Sequence, residues 1–428
     1  MTNLRASPSG RLLDVAAGEQ AAGLQTAWAI DPLTGNDEGP GTVAAPLRTM
    51  AEFNARWQNI LARVPATLQL VGDVLDQPLW LRGTNFATGA SLTVSGTVTT
   101  SPTVATITVV TGLNVAGATL QPFQLTTTGI DWTTVALGSR LLASNGSIAW
   151  IRNVVDANNV VVGAFSTSAT ISVVPTAGLT LSVQTLSQAL APNLNISAVD
   201  KTTVVSIKDL SFTTCSFSTN ATFSGNLLIN GCEFKSELSA IVKSVGGLTL
   251  RASRFTMVAG SSVLTFVAAA SALNVFAAVF SGATSGAISS SSSGTVVHQH
   301  TCILNAQLSV TQGAFVSMNT SCHIQHTTVA VLIDTLGFLN TGICSISGSA
   351  GASIGVDVRC GWFIWNSTGK PTITGATDCR VGNVTYTYAA LGDGKTSSYL
   401  DAVPPVTNLL LNTGATRGPA IATMSRNA

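Results

Sequence analysis

The sequence has few charged residues and no long apolar run. Only 9% of its 428 residues are Asp, Glu, Lys or Arg, although the mean hydropathy is +0.41. No stretch approaches the roughly 20 apolar residues that a membrane-spanning helix needs, because Ser and Thr alternate with the apolar residues. Such alternation is typical of half-buried β-strands. We therefore expect an all-β protein that does not insert into a membrane.

The chain also lacks an excess of charge of either sign, and it lacks an apolar leader. Its formal net charge is +1, so attraction to nucleic acid or anionic lipid is weak and a nucleic-acid partner is not expected. Residues 1–25 hold no apolar core of a signal peptide. The protein is therefore expected to assemble in the cytoplasm where it is made, and either to stay there or to leave in a particle released by lysis.

The seven cysteines include no Cys-x-x-Cys pair and their number is odd, so neither a zinc site nor a complete disulfide framework is indicated. Each precedes a large apolar residue by two positions, and Ser253 and Ala278 take the same place in two further repeats. Residues two apart share one face of a β-strand. This register predicts stacked rungs of a parallel solenoid with a ladder of small interior side chains. The ladder comprises Cys215, Cys232, Cys302, Cys322, Cys344, Cys360 and Cys379.

A helix and an insertion interrupt the repeats. An amphipathic helix after Pro46 is predicted to cover the open first rung, with a stripe of Leu47, Met50, Phe53, Trp57, Ile60 and Leu61. Later the register disappears, and alternating Thr and Val predict an inserted antiparallel β-domain that starts with a strand at Ser91–Thr99 and has a hairpin turn at Asp156–Asn159. We assign residues 1–27 to an N-terminal arm, 28–82 to the cap and first rungs, 83–197 to the inserted β-domain, 198–384 to the parallel β-helix and 385–428 to a C-terminal tail.

The segment Trp28–Gly39 has the sequence W-A-I-D-P-L-T-G-N-D-E-G, and Ala45–Thr49 and the predicted helix follow it. This arrangement resembles the opening of pectin-lyase-like right-handed parallel β-helix proteins, among which phage tailspikes and fibres are common. The resemblance implies a right-handed parallel β-helix, a homotrimer, and partners among the other proteins of a virion or released particle. It leaves the activity open, because this fold hosts lyases, hydrolases, adhesins and structural parts. The Asp and Asn residues of the segment are expected to make turn and capping hydrogen bonds.

Acidic residues that could cleave a polysaccharide are scarce. A glycoside hydrolase needs two carboxyl groups about 5–10 Å apart, and a lyase needs a base beside a cation. Glu233 lies between inward-facing Cys232 and Phe234, so it points outward and meets Arg254 of the next rung, where a surface ion pair is expected. The candidate catalytic residues are Glu233, Glu237, Asp209 and Asp357, and a structural role is the simpler interpretation of each.

Neither a metal nor a cofactor is predicted. In the predicted register of successive strands, His323 is aligned with Ile303 and His300 with Thr320. These histidines are therefore expected to face opposite sides of their strands. No phosphate-binding Gly-rich loop, dinucleotide fingerprint or Ser-His-Asp spacing is present. Aromatic platforms for sugars are also not expected, because Trp362 takes the inward phase and all three tyrosines follow the ladder.

The leading hypothesis is a non-enzymatic structural and adhesive component of a phage or phage-like particle, such as a fibre, spike or decoration protein, located in the virion as a homotrimer. Nearly uncharged coils rich in Ser, Thr and Ala suit packing between subunits more than binding of a charged substrate. The alternative is a tailspike-type polysaccharide depolymerase, a glycoside hydrolase or lyase with a site between subunits and a host surface glycan as its partner. A third hypothesis, a non-viral surface adhesin, would require an export route that the sequence does not reveal.

Overall fold

Most of the chain winds into a parallel β-solenoid in the computed structural model. The structure describes residues 4–6, 12–14, 25–57, 61–62, 64–81, 85–113, 122–167, 173–190, 193–194, 197–198, 204–213, 218–219, 226–236, 241–243, 247–251, 253–257, 263–267, 272–276, 279–291, 295–299, 302–318, 322–326, 328–342, 344–348, 354–365, 371–374, 377–382, 384–386, 398–402 and 409–412. For most strands between residues 235 and 306 the backbone alone is described. Within these ranges no helix is long and apolar enough to cross a membrane.

The N-terminal part contains an antiparallel strand pair, a helix and the first rungs. Its elements are β1 (Leu4–Ala6), β2 (Leu12–Asp14), β3 (Ala27–Ile30), α1 (Met50–Trp57), β4 (Leu61–Ala62), β5 (Ala66–Leu70), β6 (Asn85–Phe86) and β7 (Ser91–Gly96). β1 pairs with β2, whereas β3, β5 and β7 are parallel neighbours. The predicted capping helix is present, and its Met50, Phe53 and Trp57 are buried in the solenoid core. It is shorter than predicted, since Leu61 lies in β4.

The segment that carries the family resemblance fastens this helix. Asp37 Oδ1 accepts hydrogen bonds from the backbone N–H groups of Arg48 and Thr49 at 2.8 and 2.9 Å. In return, Arg56 near the end of α1 donates from Nη2 to the carbonyl oxygen of Asp37. The side chain of Thr34 donates to Asp31 and lowers the pKa of that carboxyl group. The prediction that Asp and Asn residues of this segment make turn and capping hydrogen bonds is therefore confirmed.

The inserted domain is a closed barrel. Its elements are β8 (Val98–Gly112), β9 (Phe123–Thr128), a 3₁₀ turn at Trp132–Thr134, β10 (Arg140–Ala143), β11 (Ile148–Val154), β12 (Asn159–Val162) and β13 (Thr180–Ala189). The six strands pair antiparallel in the cyclic order β8, β9, β12, β11, β10 and β13, and β13 returns to β8. Closure leaves each strand with a partner on both sides and encloses a separate apolar core around Trp132. The predicted hairpin is the β11–β12 pair, whereas closure was not predicted.

The solenoid takes up the rest of the described chain. Its strands are β14 (Asn193–Leu194), β15 (Ser197–Ala198), β16 (Val204–Lys208), β17 (Leu210–Phe212), β18 (Ser218–Thr219), β19 (Asn226–Asn230), β20 (Glu233–Ser236), β21 (Ile241–Lys243), β22 (Gly247–Arg251), β23 (Arg254–Met257), β24 (Val263–Val267), β25 (Ala272–Phe276), β26 (Val279–Ser291), β27 (Thr295–Gln299), β28 (Cys302–Val310), β29 (Phe315–Met318), β30 (Cys322–His326), β31 (Val329–Ile333), β32 (Gly337–Thr341), β33 (Cys344–Gly348), β34 (Ile354–Val358), β35 (Gly361–Trp365), β36 (Thr372–Thr374), β37 (Thr377–Val381), β38 (Val384–Tyr386), β39 (Ser398–Ala402) and β40 (Leu409–Asn412).

Each turn of the solenoid contributes one strand to each of three parallel sheets. In one turn these strands are β29, β30 and β31, and in the next they are β32, β33 and β34. The first sheet runs from β3 to β35 and ends in the antiparallel strands β39 and β40. Crossovers between parallel strands are almost always right-handed. The chain is thus a right-handed parallel β-helix of about 8 turns with a capping helix and an inserted antiparallel domain, as predicted.

The structure places the edges of the insertion differently from the sequence prediction. β7, which was assigned to the inserted domain, pairs in parallel with β5 and β16 and is a rung of the first sheet. At the other end, Thr180–Leu186 of β13 belong to the barrel, whereas Ser187–Ala189 pair in parallel with β17. The inserted barrel therefore occupies residues 97–186. It lies between the strand that one turn contributes to the first sheet and the strand that the same turn contributes to the second sheet.

The described cysteines do not form a single column. Cys322 and Cys344 are direct partners in neighbouring strands, as the predicted ladder requires. Cys302 lies opposite His323 instead, because the large apolar residue in register with Ile324 is Ile303 and not Leu304. Cys379 lies opposite Val356 in the third sheet. Cys360 occupies a turn and is partly exposed, and Cys215 is outside the described residues.

The buried cysteines should be unreactive in the folded protein. Burial raises the pKa of the Cys232 thiol to about 12 and also raises the pKa values of Cys344 and Cys379. Alkylation requires the thiolate, so we expect iodoacetamide at pH 8 to modify Cys360 first and these three only after denaturation. Peptide mass spectrometry with a time course measures this order. Modification of Cys344 at the rate of Cys360 would contradict the interior packing.

Candidate functional site

A polar cluster joins the barrel to the solenoid. Arg140 of β10 is 3% exposed, and its Nε donates to Gln184 Oε1 at 2.8 Å. Its Nη1 donates to Asp209 Oδ1 at 2.6 Å and to the carbonyl oxygen of Gly231 at 2.9 Å. Asp209 and Gly231 occupy the same left-handed corner in successive turns, with φ values of 59° and 63°. One arginine thus holds two turns of the solenoid against the barrel.

The approach of Arg140 explains the glycine at this corner. A Cβ atom added to Gly231 would lie 2.7 Å from Arg140 Nη1. A positive φ also favours glycine, because a side chain there collides with the backbone. Asp209 tolerates the same conformation one turn earlier, where its carboxylate accepts the hydrogen bond from Arg140.

Glu233 lies next to this cluster. It faces out of the solenoid, because its neighbours Cys232 and Phe234 are buried in the core. Ser211 of the preceding turn donates its hydroxyl hydrogen to Glu233 Oε2 at 2.9 Å. Arg254 is the direct partner of Glu233 in the next strand, so the predicted register is confirmed. Glu237 is outside the described residues.

Two of the candidate carboxylates therefore share one region, and both are held by neighbouring groups. Asp209 is one residue before β17 and Glu233 is the first residue of β20, on successive turns of the second sheet. Adjacent turns are about 4.8 Å apart, and glycoside hydrolysis uses two carboxyl groups about 5–10 Å apart. An arginine paired with one of them and a hydroxyl group paired with the other would fix their orientation.

Asp357 lies elsewhere, on the third sheet, and is enclosed by arginines. Its side chain is fully buried, and Arg380 donates to it twice, from Nε to Oδ1 at 2.9 Å and from Nη2 to Oδ2 at 2.6 Å. Arg359 adds a hydrogen bond from Nε to Oδ2 at 3.1 Å. The hydrogen bond to Asp357 raises the pKa of Arg380. Such a carboxylate is anchored to two cations and shielded from solvent.

The second sheet also carries a buried histidine. His323 faces away from the core residues Cys322 and Ile324, yet it is only 7% exposed. Burial, followed by the charge of Arg152 from β11, lowers the pKa of His323 to about 3. The influence of Arg152 places the barrel near a turn well beyond that of Gly231. The barrel therefore lies along the outer face of the second sheet.

This histidine predicts a loss of stability in acid. The unfolded chain binds a proton at His323 below pH 6.5, whereas the folded chain does so only near pH 3. Stability should therefore decrease as the pH falls through this window, by up to about 1.4 kcal/mol per pH unit from this group. Urea unfolding at pH 7 and 4.5 measures the change, and His323→Gln should reduce it. An identical pH slope in wild type and variant would contradict the assignment.

No metal site is found in the described part of the chain, where no group of three His, Cys, Asp or Glu side chains could hold an ion. His298 belongs to the first sheet, opposite Met318, whereas His323 and His326 belong to β30 of the second sheet. His323 is aligned with Cys302 and not with Ile303 as predicted. His300 is outside the described residues.

Comparisons with known proteins give matches by structure alone. No protein-family model matches the sequence, and no curated protein matches it. A tailspike of Acinetobacter baumannii bacteriophage AP22, solved in complex with A. baumannii capsular saccharide, is 10% identical with a TM-score of 0.28, and the match covers 74% of this chain and 62% of the tailspike. The tailspike of Pseudomonas phage LKA1 is 12% identical with a TM-score of 0.17, covering 71% of this chain and 51% of that one. This chain thus spans little more than half the length of either.

The chain is a parallel β-helix. The strand pairings of this chain establish this architecture on their own.

The solenoid carries an aromatic ladder that was not predicted from the sequence. Phe315, Phe338 and Trp362 are direct partners in successive strands of the first sheet, and all three are partly exposed. The ring centroids are 4.8 Å apart for the first pair and 6.4 Å for the second. The inward prediction for Trp362 was wrong, because the buried residues of β35 are Phe363 and Trp365.

Proposed function

We propose that this chain is a structural and adhesive component of a phage or phage-like particle, such as a fibre, spike or decoration protein, and that it is not an enzyme. The barrel is the observation that carries this proposal. It is a module with its own core, fixed to the side of a rigid rod by a buried arginine. Recognition commonly lies in excursions from rigid scaffolds, so the barrel is the proposed contact with a host surface glycan.

The proposal includes assembly with copies of itself and with other particle proteins. Light scattering of the purified chain should give the mass of a homotrimer, and a monomeric mass would contradict that part. Gold-labelled antibody against the chain should mark particles released by the source organism. Label confined to soluble supernatant or to the cell envelope would contradict the assignment to a virion.

A polysaccharide depolymerase is the second candidate, and the placement of Asp209 and Glu233 on adjacent turns favours it. For an enzyme, reducing ends should appear when host surface polysaccharide is incubated with the protein. Glu233→Ala should then abolish their release. Asp357→Ala would show whether the carboxylate on the third sheet also takes part. Absence of release by the wild-type homo-oligomer supports the adhesive function.

A further inference from the structure

We propose that the outer face of the first sheet at β29, β32 and β35 is the surface through which copies of this chain meet around a symmetry axis. This inference rests on the homo-oligomer of the proposed function and names the surface that forms it. The face is defined by the partly exposed side chains of Phe315, Phe338, Asn340, Trp362 and Ile364, together with Ser317, which is only 8% exposed.

Because the three strands of this face carry no charge, a copy of the same chain is the favoured partner. Residues near a rotation axis meet their own equivalents, so any charge there would face a like charge. The three strands, Phe315–Met318, Gly337–Thr341 and Gly361–Trp365, contain no charged residue. Partly exposed aromatic rings are also the side chains that concentrate in the centre of protein interfaces.

The other two sheets are less suited to this contact over the same turns. The outer face of the second sheet bears the barrel, as the contacts of Arg140 and the charge of Arg152 near His323 indicate. The outer face of the third sheet carries the charged pair of Asp357 and Arg380. Among the described residues, the aromatic row of Phe315, Phe338 and Trp362 carries no charge itself, and it ends where β39 places Asp401 opposite Trp362.

The turn that leads into β32 supports the same interpretation. Thr335 and Leu336 both have positive φ values, 52° and 63°, and Leu336 is 57% exposed. A left-handed conformation costs a residue with a side chain roughly 1–2 kcal/mol, and such strain persists where surrounding structure or function requires it. It directs an exposed apolar side chain outward two residues before Phe338.

The test introduces a charge on the face without disturbing the core. Phe338→Arg should convert the oligomer to a monomer in light scattering at micromolar concentration and raise the apparent dissociation constant at least 100-fold. Asn340→Arg, which leaves the ring ladder intact, should do the same. Gln69→Arg is the matched control, because Gln69 is an exposed outer residue of β5 in the same sheet. Circular dichroism verifies that each variant is folded.

The outcomes separate this inference from the proposed function. A monomeric wild type would overturn the proposed assembly and this surface together. A wild-type trimer that persists in folded Phe338→Arg and Asn340→Arg would overturn the surface alone. Dissociation by Gln69→Arg to the same extent would also overturn it, because the effect would then not depend on the ladder.

Discussion

Replacing Arg140 with Ala should release the barrel from the solenoid and lower the free energy of unfolding by about 3 kcal/mol. The substitution removes all three hydrogen bonds of the guanidinium group. Gln184 and the carbonyl oxygen of Gly231 would lose a donor in a buried site, which is the costly part of the change. The loss of unfolding free energy stays near the lower limit of what a broken buried ion pair costs, because the Asp209 side chain is 33% exposed and can regain water.

Limited proteolysis is the direct measurement for Arg140→Ala, because release of the barrel exposes the connections at its base. Cleavage should occur near residues 97 and 186 in the variant and not in the wild type. Arg48→Ala is the matched control, since Arg48 is an exposed arginine outside the junction. Equal cleavage rates in wild type and Arg140→Ala would show that other contacts hold the barrel.

Replacing Arg380 with Met should destabilise the last turns of the solenoid by about 3–5 kcal/mol, because a buried carboxylate loses its main partner. Asp357 has no exposed surface and would keep a single hydrogen bond, from Arg359 Nε at 3.1 Å. Asp357→Leu should cost less, since Arg359 and Arg380 are 54% and 33% exposed and remain hydrated. Urea unfolding of each variant measures the difference.

The double variant Asp357→Leu, Arg380→Met isolates the pairing. Because it leaves no buried charge, its stability should exceed that of Arg380→Met alone and approach that of the wild type. Additive losses from the two substitutions would contradict a coupled buried pair. They would instead indicate that each side chain contributes through packing.

The sequence was informative where one residue type had one physical role. Cys322 and Ile324 alternate with outward residues and predicted an inward face, which the structure confirms. Asp37 and Phe53 likewise stand in the predicted turn and capping helix. These features depend on local periodicity and on hydrogen bonds within a few tens of residues, so they are visible in the chain itself.

Where several interpretations fit the same pattern, the prediction was wrong. The segment Gly361–Trp365 contains four large apolar residues in a row, so alternation does not say which of Trp362 and Phe363 is inside. Cys302 is followed by both Ile303 and Leu304, and the register was set on the wrong one. A single position changes the face of every side chain in a strand.

The junction could not have been located from spacing, because Arg140 and Gly231 are joined by a contact across 91 positions of the chain. A usable indication was nonetheless present. Arg140 is one of the rare charges in a region that is otherwise neutral, and a charge kept in such surroundings has a partner. What the sequence does not reveal is whether that partner lies in the same domain.

Because β7 pairs directly with β16, the barrel could be replaced without a change in the solenoid. Ser91–Ser95 pair with Val204–Lys208 residue by residue, and the roughly hundred residues between these strands cause no shift in the register. The ladder of backbone hydrogen bonds is complete without the excursion, so a tight turn or a differently folded module could take its place while the rod keeps its length and register. The inserted module and the solenoid can therefore vary independently in such a protein, while Arg140 ties the present barrel to the corner at Asp209 and Gly231.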